Sequence, residues 1–500
     1  MAIRHVDLAA ETSVQDAITK IQSVIDGISG VEETVTAIAQ QATEINDDLT
    51  AVDTKIDNLN SAVDAAEDGI NQNISGVGAK IDTANSGITT IKTAVAEMKT
   101  SIGKIRDALN VRRSPIYGFI EHMDILNPAQ RIEYIGENKD FTPMSMNMTT
   151  HAMNYGSWND FWFLLQNRPA MVKNDGTLDY WLNPDDYTKK EDGTASDVAN
   201  LDYAGGAYAW IPKIYKKEYV IGNNRYVYFS QTKADDDFAP IGFIDPDGNE
   251  LDGVWIPMFY GVKDSNGVTR TLATKNPTTA SSITTDAQKA AIEKAGARHV
   301  FFGGAIVNTL VDLLTMFVKS TDSQSAYGKG ASESYNVSAT NYGMPDNSVV
   351  GGGQFYGSND GKQLNKVLHS IVLGSQCIWV RDPYILVLKG TFFVSPNYKY
   401  DITGKTYVNT GIKIQDQGYR TKSTVVPGFG AVPTTAGGTS GTGNCDHVWV
   451  DRAENACCLR FAACSDGASG GLFCLDASHA PSVAWWGFGC APLLLPPATA

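Results

Sequence analysis

A long heptad stripe of apolar residues constrains the N-terminal part of this 500-residue chain. The stripe keeps 4-3 spacing, slips once at Gly30, is irregular again between Asn73 and Gly78, and continues to Leu109. Such spacing over more than about ten heptads predicts a coiled coil, and isoleucine or valine at both seam positions favours three strands. We therefore predict a homotrimeric stalk over residues 14–110, about 140 Å long. The seam residues are Val14, Ile18, Ile21, Ile25, Ile28, Val31, Val35, Ile38, Ala42, Ile45, Leu49, Val52, Ile56, Leu59, Val63, Ala66, Ile70, Ile81, Ala84, Ile88, Ile91, Val95, Met98, Ile102, Ile105 and Leu109.

Several glycines interrupt this stripe, and each weakens a helix by about 1 kcal/mol. They predict local bends or breaks in the stalk. A single amphipathic helix within one globular domain is disfavoured, because no globular core spans the length of the stripe. Residues 1–13 precede the seam, and we predict that they form an attachment peptide. The glycines are Gly27, Gly30, Gly69, Gly76, Gly87 and Gly103.

The composition changes abruptly after Asn110, where glycine, tyrosine, tryptophan, asparagine and aspartate become frequent. We predict a connector or start of the head over residues 111–150 and the head itself over residues 151–500. The patterns favour an α+β fold with a large irregular fraction. Helices are predicted over Thr285–Gly296 and Ala305–Ser320, and chain dominated by loops or turns over 327–356 and 425–444. Strands are predicted over 208–214, 218–220, 226–230, 253–261, 370–380 and 384–393.

The charge balance limits the classes of partner. The formal net charge is −15 with a pI of about 4.9, and no basic run stands out, so nucleic-acid binding is not expected. The first residues have no apolar core of a secretory signal, and we expect synthesis in a cytoplasm. No uninterrupted apolar stretch of about 18 residues is present, so we expect no membrane insertion.

The seven cysteines form an odd set, and six of them fall in the last 56 residues. No CxxC pair occurs, and His447 near Cys445 lacks a second ligand pair at zinc-finger spacing. Free buried thiols are the favoured state for a chain folded in a cytoplasm. We expect no metal and no cofactor. The Asp245–Glu250 turn resembles a calcium loop but has Ile256 where a bidentate acid is needed, which favours a hairpin turn.

The segment from Cys458 to Cys490 alternates apolar, glycine and short polar residues. Leu472, Phe473 and Leu475 are expected to anchor it in a core, while the positions between them are predicted to lie in loops. Fixed anchors with chemically varied residues between them are what a displayed binding surface needs.

These residues also carry a family resemblance. The segment IYGFIEHMDILNPAQRIEYIG, followed by YGSWNDFW, WIPKIYKKEY and LDGVWIPMFYG, resembles the heads of bacteriophage tail proteins. The closing RFAACSDGASGGLFCLDASHAPSVAWWGFGC resembles the variable region of proteins diversified by a retroelement, which have a C-type-lectin-like fold related to formylglycine-generating enzymes. Two departures stand out. Ala462-Ala463 replaces the usual glycine pair, and Cys490-Ala491 replaces a common aromatic-arginine ending.

The resemblance implies a phage tail fibre that displays a diversifiable surface to a bacterial cell-surface receptor, either protein or glycan. It implies attachment to the tail or baseplate through the N-terminus, and variation directed to adenine-containing codons. The displayed positions that it implies are Phe461, Ala463, Cys464, Ser465, Asp466, Ser469, Asp476, Ser478, His479, Val483, Ala484, Trp485 and Gly487.

Catalytic patterns are weaker. Gly467–Gly471 matches G-x-S-x-G with Asp476 and His479 downstream, but no helix pattern follows the serine, as a nucleophile elbow requires. A glycan-degrading head on the same stalk is the alternative function, and it would need two opposed carboxylates. We predict a binding protein and not an enzyme.

Overall fold

A computed structural model describes residues 70–108, 114–274, 282–335 and 352–497, with scattered helical positions between 16 and 55. The predicted attachment peptide and most of the predicted stalk before Ile70 lie outside the described residues. The described chain is α+β and consists mostly of sheets with few helices. It divides into two compact units, Met1–Arg113 and Ser114–Ala500.

The elements are numbered in chain order. The helices are α1 Ile70–Ala108, α2 Trp162–Gln166, α3 Thr285–Glu293, α4 Ala305–Val318, α5 Ser323–Tyr327 and α6 Ile371–Gly374. The strands are β1 Ile116–His122, β2 Ile132–Gly136, β3 Ser145–Asn147, β4 Ala152–Asn154, β5 Pro169–Lys173, β6 Leu178–Asn183, β7 Asp186–Lys190, β8 Gly205–Pro212, β9 Tyr215–Ile221, β10 Asn224–Ser230, β11 Gly253–Pro257, β12 Gly261–Lys263, β13 Thr269–Thr271, β14 His299–Phe301, β15 Trp379–Leu388, β16 Thr391–Val394, β17 Val408–Lys413, β18 Gly418–Val426, β19 Gly430–Ala436, β20 His447–Val450, β21 Ala456–Arg460, β22 Leu475–Ala477, β23 Phe488–Gly489 and β24 Pro492–Leu494.

Helix α1 is unbroken over its 39 residues, although Gly76, Gly78, Gly87 and Gly103 lie within it. The described helix therefore has no break at Gly76, Gly87 or Gly103, where the sequence had suggested bends or breaks. Where its side chains are described, the apolar stripe is exposed or half-exposed. Among the seam side chains, Ile91 is 44% exposed and Met98 is 39% exposed.

The described part of the larger unit has three large sheets and two two-stranded sheets, β3-β4 and β12-β13. A four-stranded antiparallel sheet has the order β2-β1-β10-β9, and a seven-stranded sheet has the order β14-β24-β11-β8-β5-β6-β7. The third sheet follows the order β17-β16-β15-β21-β22-β20-β18-β19, with β23 paired to β15. Because β1 and β2 are integral strands, the segment predicted as connector or start of the head belongs to the same compact unit as the rest.

The core surrounds α4, which is buried along almost its whole length. The sequence placed Leu310, Leu313, Leu314 and Phe317 on one buried face, and all four are buried, but so are the residues on the other faces. Helix α3 begins as predicted, because the Thr284 side chain accepts a hydrogen bond from the Ala287 N–H.

Two local predictions were wrong. The segment 370–380 was predicted as a strand, but it contains the short helix α6, and β15 starts only at Trp379. A short apolar run does not separate a buried helical turn from a buried strand. The segment 425–444 was predicted as turns, but β18 and β19 pair through it. Pro433 is accommodated where the register shifts next to Ser423.

A buried network of charges joins the four-stranded sheet to α4. Glu121 on β1 lies 2.9 Å from the Arg131 Nε and 2.8 Å from the Arg225 Nε. Arg225 also donates hydrogen bonds to both carboxylate oxygens of Asp312 on α4, and the Lys216 Nζ lies 2.6 Å from the Asp312 carboxylate. These side chains are at most 4% exposed, so removing one partner would leave an uncompensated buried charge.

This network makes acid stability testable at Glu121. Burial opposes its ionisation, but Arg225 and Arg131 prevail and lower its pKa from 4.5 to about 2. A depressed carboxyl pKa stabilises the fold above pH 4.5, and this contribution is lost as the pH falls towards 2. The shift corresponds to about 3 kcal/mol. We expect the thermal midpoint of Glu121→Gln to depend less on pH than that of the wild type between pH 4.5 and 2. Equal pH slopes would contradict the assignment.

Candidate binding surface

The anchors predicted for the C-terminal segment are confirmed. Leu472, Phe473 and Leu475 are each at most 4% exposed. Leu472 and Phe473 join the main core, and Leu475 packs in a second cluster with residues of β15, β16 and β21. The segment is therefore fixed at its centre, and two loops leave these anchors, one before Gly471 and one after Ala477.

All seven cysteines are free and buried, as the sequence predicted. Burial raises the pKa of the Cys457 and Cys490 thiols to about 12 and that of Cys464 to about 11. The thiolate is the reactive form, so these side chains pack as small apolar groups. The described residues contain no group of three histidine, cysteine, aspartate or glutamate side chains placed to hold a metal ion.

The first loop turns through strained backbone. Phe461 and Ala462 follow β21 with φ of +77° and +90°, a region that favours glycine. Glycine at position 462, where the resembled family has a glycine pair, would therefore relieve this strain. Both residues are buried. The turn then brings Ser465 and Ala468 to the exposed side of the loop.

A side chain on α5 fixes the tip of the first loop by hydrogen bonds. The Gln324 side chain on α5 donates to the carbonyl oxygens of Gly467 and Gly470, at 2.8 and 3.1 Å. The Asp466 carboxylate accepts a 2.7 Å hydrogen bond from the Ala463 N–H, and burial raises the pKa of Asp466. These contacts fix the loop on its scaffold.

Hydrogen bonds from Thr285 on α3 and from Arg381 on β15 fix the backbone of the second loop. The Thr285 N–H donates to the Pro481 carbonyl at 3.0 Å, and Arg381 donates to the Val483 carbonyl. Ser282 donates its N–H to the Trp485 carbonyl at 3.1 Å. The loop therefore presents Trp485, whose side chain is 39% exposed, from a fixed backbone.

Aspartate and histidine at the start of the second loop contact each other. The Asp476 carboxylate accepts from the Ser478 N–H and hydroxyl, at 2.8 and 2.6 Å, and lies 3.1 Å from His479 Nδ1. Ser469 is not part of this group, because its hydroxyl lies 3.1 Å from the Tyr419 hydroxyl. Ser469 of the G-x-S-x-G match therefore contacts Tyr419, while Asp476 and His479 contact each other.

The structure divides the thirteen implied display positions into two groups. Five are buried and so are not displayed to solvent: Phe461, Ala463, Cys464, Asp476 and Gly487. Eight are exposed or half-exposed: Ser465, Asp466, Ser469, Ser478, His479, Val483, Ala484 and Trp485.

Aromatic residues from outside the segment extend this surface, and sequence reasoning missed them. Tyr335 links the two loops, because its N–H donates to the Cys464 carbonyl while its ring stacks on Trp486 at 5.8 Å. Tyr419, His447 and Trp449 form a row with ring centroids 5.1 and 4.3 Å apart. The alternation in His447–Val450 was the one available signal, since it predicts a strand with His447 and Trp449 on the same face.

We define the display surface as the eight accessible positions together with the aromatic residues Tyr335, Tyr419, His447 and Trp449. It combines a large, partly exposed indole with hydroxyl, carboxylate and imidazole groups on fixed loops. Aromatic side chains of this kind commonly dominate the energy of an interface. The arrangement is suited to non-covalent recognition.

A separate groove of about 770 Å³ lies between α3 and the segment around Tyr400. Its carboxylates already have partners. Glu293 pairs with Lys289, and Asp401 accepts hydrogen bonds from Thr403 and Thr406, which lower its pKa to about 2. A general acid for glycoside cleavage needs a raised pKa, so Asp401 does not suit that role.

Comparison with protein-family models finds no match, and comparison with curated proteins finds none either. Among the described residues, no helix is long and apolar enough to cross a membrane.

The Asp245 turn forms the hairpin that the sequence favoured over a calcium loop. Ile244 is bridged to Glu250, and the Asp245 carboxylate accepts hydrogen bonds from the Asp247 and Asn249 N–H groups.

Proposed function

We propose that this protein is a receptor-binding fibre of a bacteriophage tail, with a trimeric coiled-coil stalk and a C-type-lectin-like head. The head binds a ligand on the bacterial surface, and a retroelement diversifies its C-terminal loops. In this proposal the N-terminal residues attach to the tail or baseplate of the virion. The protein is made in the host cytoplasm.

One observation carries the binding role. The C-terminal segment alternates deeply buried anchors with accessible residues on two loops, and residues elsewhere in the chain hold both loops by hydrogen bonds. A surface of this kind can change its exposed side chains while its framework stays in place. That separation is what a diversified recognition surface requires.

Two further features support the assembly. The apolar stripe of α1 has the spacing of a coiled-coil seam, with Ile81, Ile88 and Val95 at intervals of seven, and such β-branched seam residues favour three strands. Three copies would present three display surfaces together and strengthen weak single-site binding by roughly 10²–10⁴. The mixed architecture, in which two longer helices accompany antiparallel strands and long loops, is compatible with a lectin-like head.

Substitutions on the display surface test the proposal. We expect the triple variant Ser469→Tyr, His479→Ser and Trp485→Ser to fold and assemble normally but to lose adsorption to its host. Truncation of one aromatic hot spot costs about 2 kcal/mol, which is roughly a thirtyfold loss of affinity. Adsorption of fluorescent protein to host cells measures the effect, and circular dichroism checks the fold.

A matched control removes exposed apolar side chains elsewhere, with Leu165, Leu178 and Val408 each replaced by serine. This control should adsorb like the wild type. Unchanged adsorption by the display variant would refute the proposed surface. Release of soluble fragments from host glycan by the wild-type protein would favour the glycan-degrading alternative.

A further inference from the structure

A small polar pocket lies beside the tip of the first loop. Its volume is about 280 Å³, and at about 30 Å³ per molecule it has room for about nine waters. Its lining includes Ala468 at the loop tip and the carboxylates of Asp322 and Asp446. The pocket therefore adjoins the display surface, although most of its lining lies outside the C-terminal segment.

Asp446 is a buried carboxylate with one oxygen left over. The residue is 1% exposed, and its Oδ2 accepts a 2.6 Å hydrogen bond from the Phe473 N–H and lies 3.4 Å from the Ser323 hydroxyl. Gly471 packs against the same carboxylate, because a Cβ at Gly471 would collide with it. Among the described residues, no group donates a hydrogen bond to Oδ1. Since Asp446 lines the pocket, Oδ1 is available to a donor bound there.

The two carboxylates of the pocket lack a cation as partner. Asp322 is half-exposed and accepts hydrogen bonds from the Ser325 N–H and hydroxyl, at 2.8 and 2.7 Å. Lys329 also lines the pocket, but its Nζ lies 2.8 Å from Glu333. Within the described ranges of the chain, neither Asp322 nor Asp446 forms an ion pair. Buried charges in proteins are normally paired, so this pocket is short of positive charge.

The electrostatics of Asp446 agree with a missing cation. Burial raises the pKa of Asp446 well above its usual range, and Asp322 raises it further. The hydrogen bonds from Phe473 and Ser323 and the charge of Arg420 lower the pKa, but they do not offset burial. A carboxyl group in such a place either keeps its proton or takes up a cationic partner. An ammonium group in the pocket would stabilise the ionised form and donate a charge-assisted hydrogen bond to Oδ1.

The rest of the lining indicates what carries the ammonium. Ser325, Ser440 and Asn359 contribute hydroxyl and amide groups, which pair with the hydroxyls of a sugar ring. A lysine side chain instead buries its aliphatic stem against apolar surface, and of the lining residues only Ala468 and Cys445 offer such surface. A single metal ion is a poorer match, because the described residues hold no group of three suitable ligands and the pocket has room for a larger guest.

We propose that this pocket binds an amino sugar with an unacetylated amino group, whose ammonium pairs with Asp446 and Asp322. The inference rests on the proposed function for the origin of the sugar, a glycan of the bacterial surface. Eight of the nine lining residues precede the C-terminal segment, and only Ala468 belongs to it. The pocket therefore gives the display surface a contact that stays the same when the side chains of the loops change.

Calorimetric titration of the full-length protein with glucosamine tests the pocket. We expect a dissociation constant of about 1 mM, equivalent to about 4 kcal/mol. N-acetylglucosamine has no ammonium and should bind at least about tenfold more weakly, because a hydrogen bond to a charged group is lost. Asp446→Asn, which keeps an acceptor for the Phe473 N–H, should weaken glucosamine binding by a similar factor. Asp322→Asn should also weaken it and serves as the test if Asp446→Asn does not fold. The matched control Asp236→Asn removes the same charge at a 98% exposed position and should bind like the wild type.

Three results would overturn this inference. The first is equal binding of glucosamine and N-acetylglucosamine, or equal binding of glucosamine by the wild type and both pocket variants. The second is tighter binding of lysine amide than of glucosamine, which would identify a lysine side chain as the guest. The third is displacement of glucosamine by calcium chloride, which would assign the pocket to a metal ion.

Adsorption to host cells separates this inference from the proposed function. Free glucosamine should inhibit adsorption of the wild type, and Asp446→Asn should adsorb more weakly. Adsorption that neither glucosamine nor Asp446→Asn changes would overturn the role of the pocket and leave the receptor-binding fibre standing. Wild-type protein that binds glucosamine but adsorbs to no host cell would refute the proposed function and leave the sugar site in place.

Discussion

Replacing Asp312 with asparagine is expected to lower the free energy of unfolding by about 3–5 kcal/mol. The Asp312 carboxylate lies 2.6 Å from the Arg225 Nη2 and 2.6 Å from the Lys216 Nζ, and all three side chains are at most 4% exposed. An amide would leave two buried cations with less compensation. Urea unfolding followed by tryptophan fluorescence measures the loss as a lower midpoint.

The exposed pair Lys233–Asp236 provides the control, because Asp236 is 98% exposed. Asp236→Asn should change the free energy of unfolding by less than about 1 kcal/mol, as expected for a surface ion pair. If Asp312→Asn unfolds at the same urea concentration as Asp236→Asn, the buried network does not stabilise the fold.

If the chain forms the trimer that we propose, replacing seam isoleucines with aspartate along the stripe is expected to dissociate it. The mass should fall to 53.9 kDa, and binding to cells should weaken by roughly 10²–10⁴ because avidity is lost. Analytical ultracentrifugation and cell adsorption measure the two effects. The seam variant replaces Ile18, Ile38, Ile56, Ile70, Ile88 and Ile102.

A control with the same charge change tests whether position matters. Threonines off the seam are replaced by aspartate, and this variant should remain trimeric and bind cells normally. A monomeric control would mean that added charge alone dissociates the protein, and a trimeric seam variant would disprove the predicted stalk. The control replaces Thr19, Thr36, Thr54, Thr83, Thr90 and Thr93.

Local patterns in the sequence predicted several elements well. Helices α3 and α4 were predicted from their apolar spacing and, for α3, from its Thr-Asp start. The anchors Leu472 and Phe473 were predicted from their place between glycines and polar residues. In each case the pattern that allowed the prediction lies within a few positions in the sequence.

Features that depend on distant residues could not be predicted. Glu121 and Asp312 look like ordinary surface acids in the sequence, and only tertiary packing brings Arg225 to both of them. Tyr335 and Tyr419 join the display surface from elsewhere in the chain. A motif resemblance also does not reveal whether a side chain points inward, and Phe461 and Cys464, which the resemblance implied to be displayed, are buried.

The hydrogen bonds that hold the two C-terminal loops end largely on main-chain carbonyl oxygens. The Gln324 side chain donates to the Gly467 and Gly470 carbonyls. The Thr285 N–H donates to the Pro481 carbonyl, and the Ser282 N–H donates to the Trp485 carbonyl. Every amino acid has the same main-chain carbonyl group, so these hydrogen bonds do not depend on which side chain the accepting residue carries. The loops can therefore tolerate many substitutions at Trp485 and its exposed neighbours while their backbone path persists. Tolerance to mutation is thus a property of the residues outside the loops that donate these hydrogen bonds.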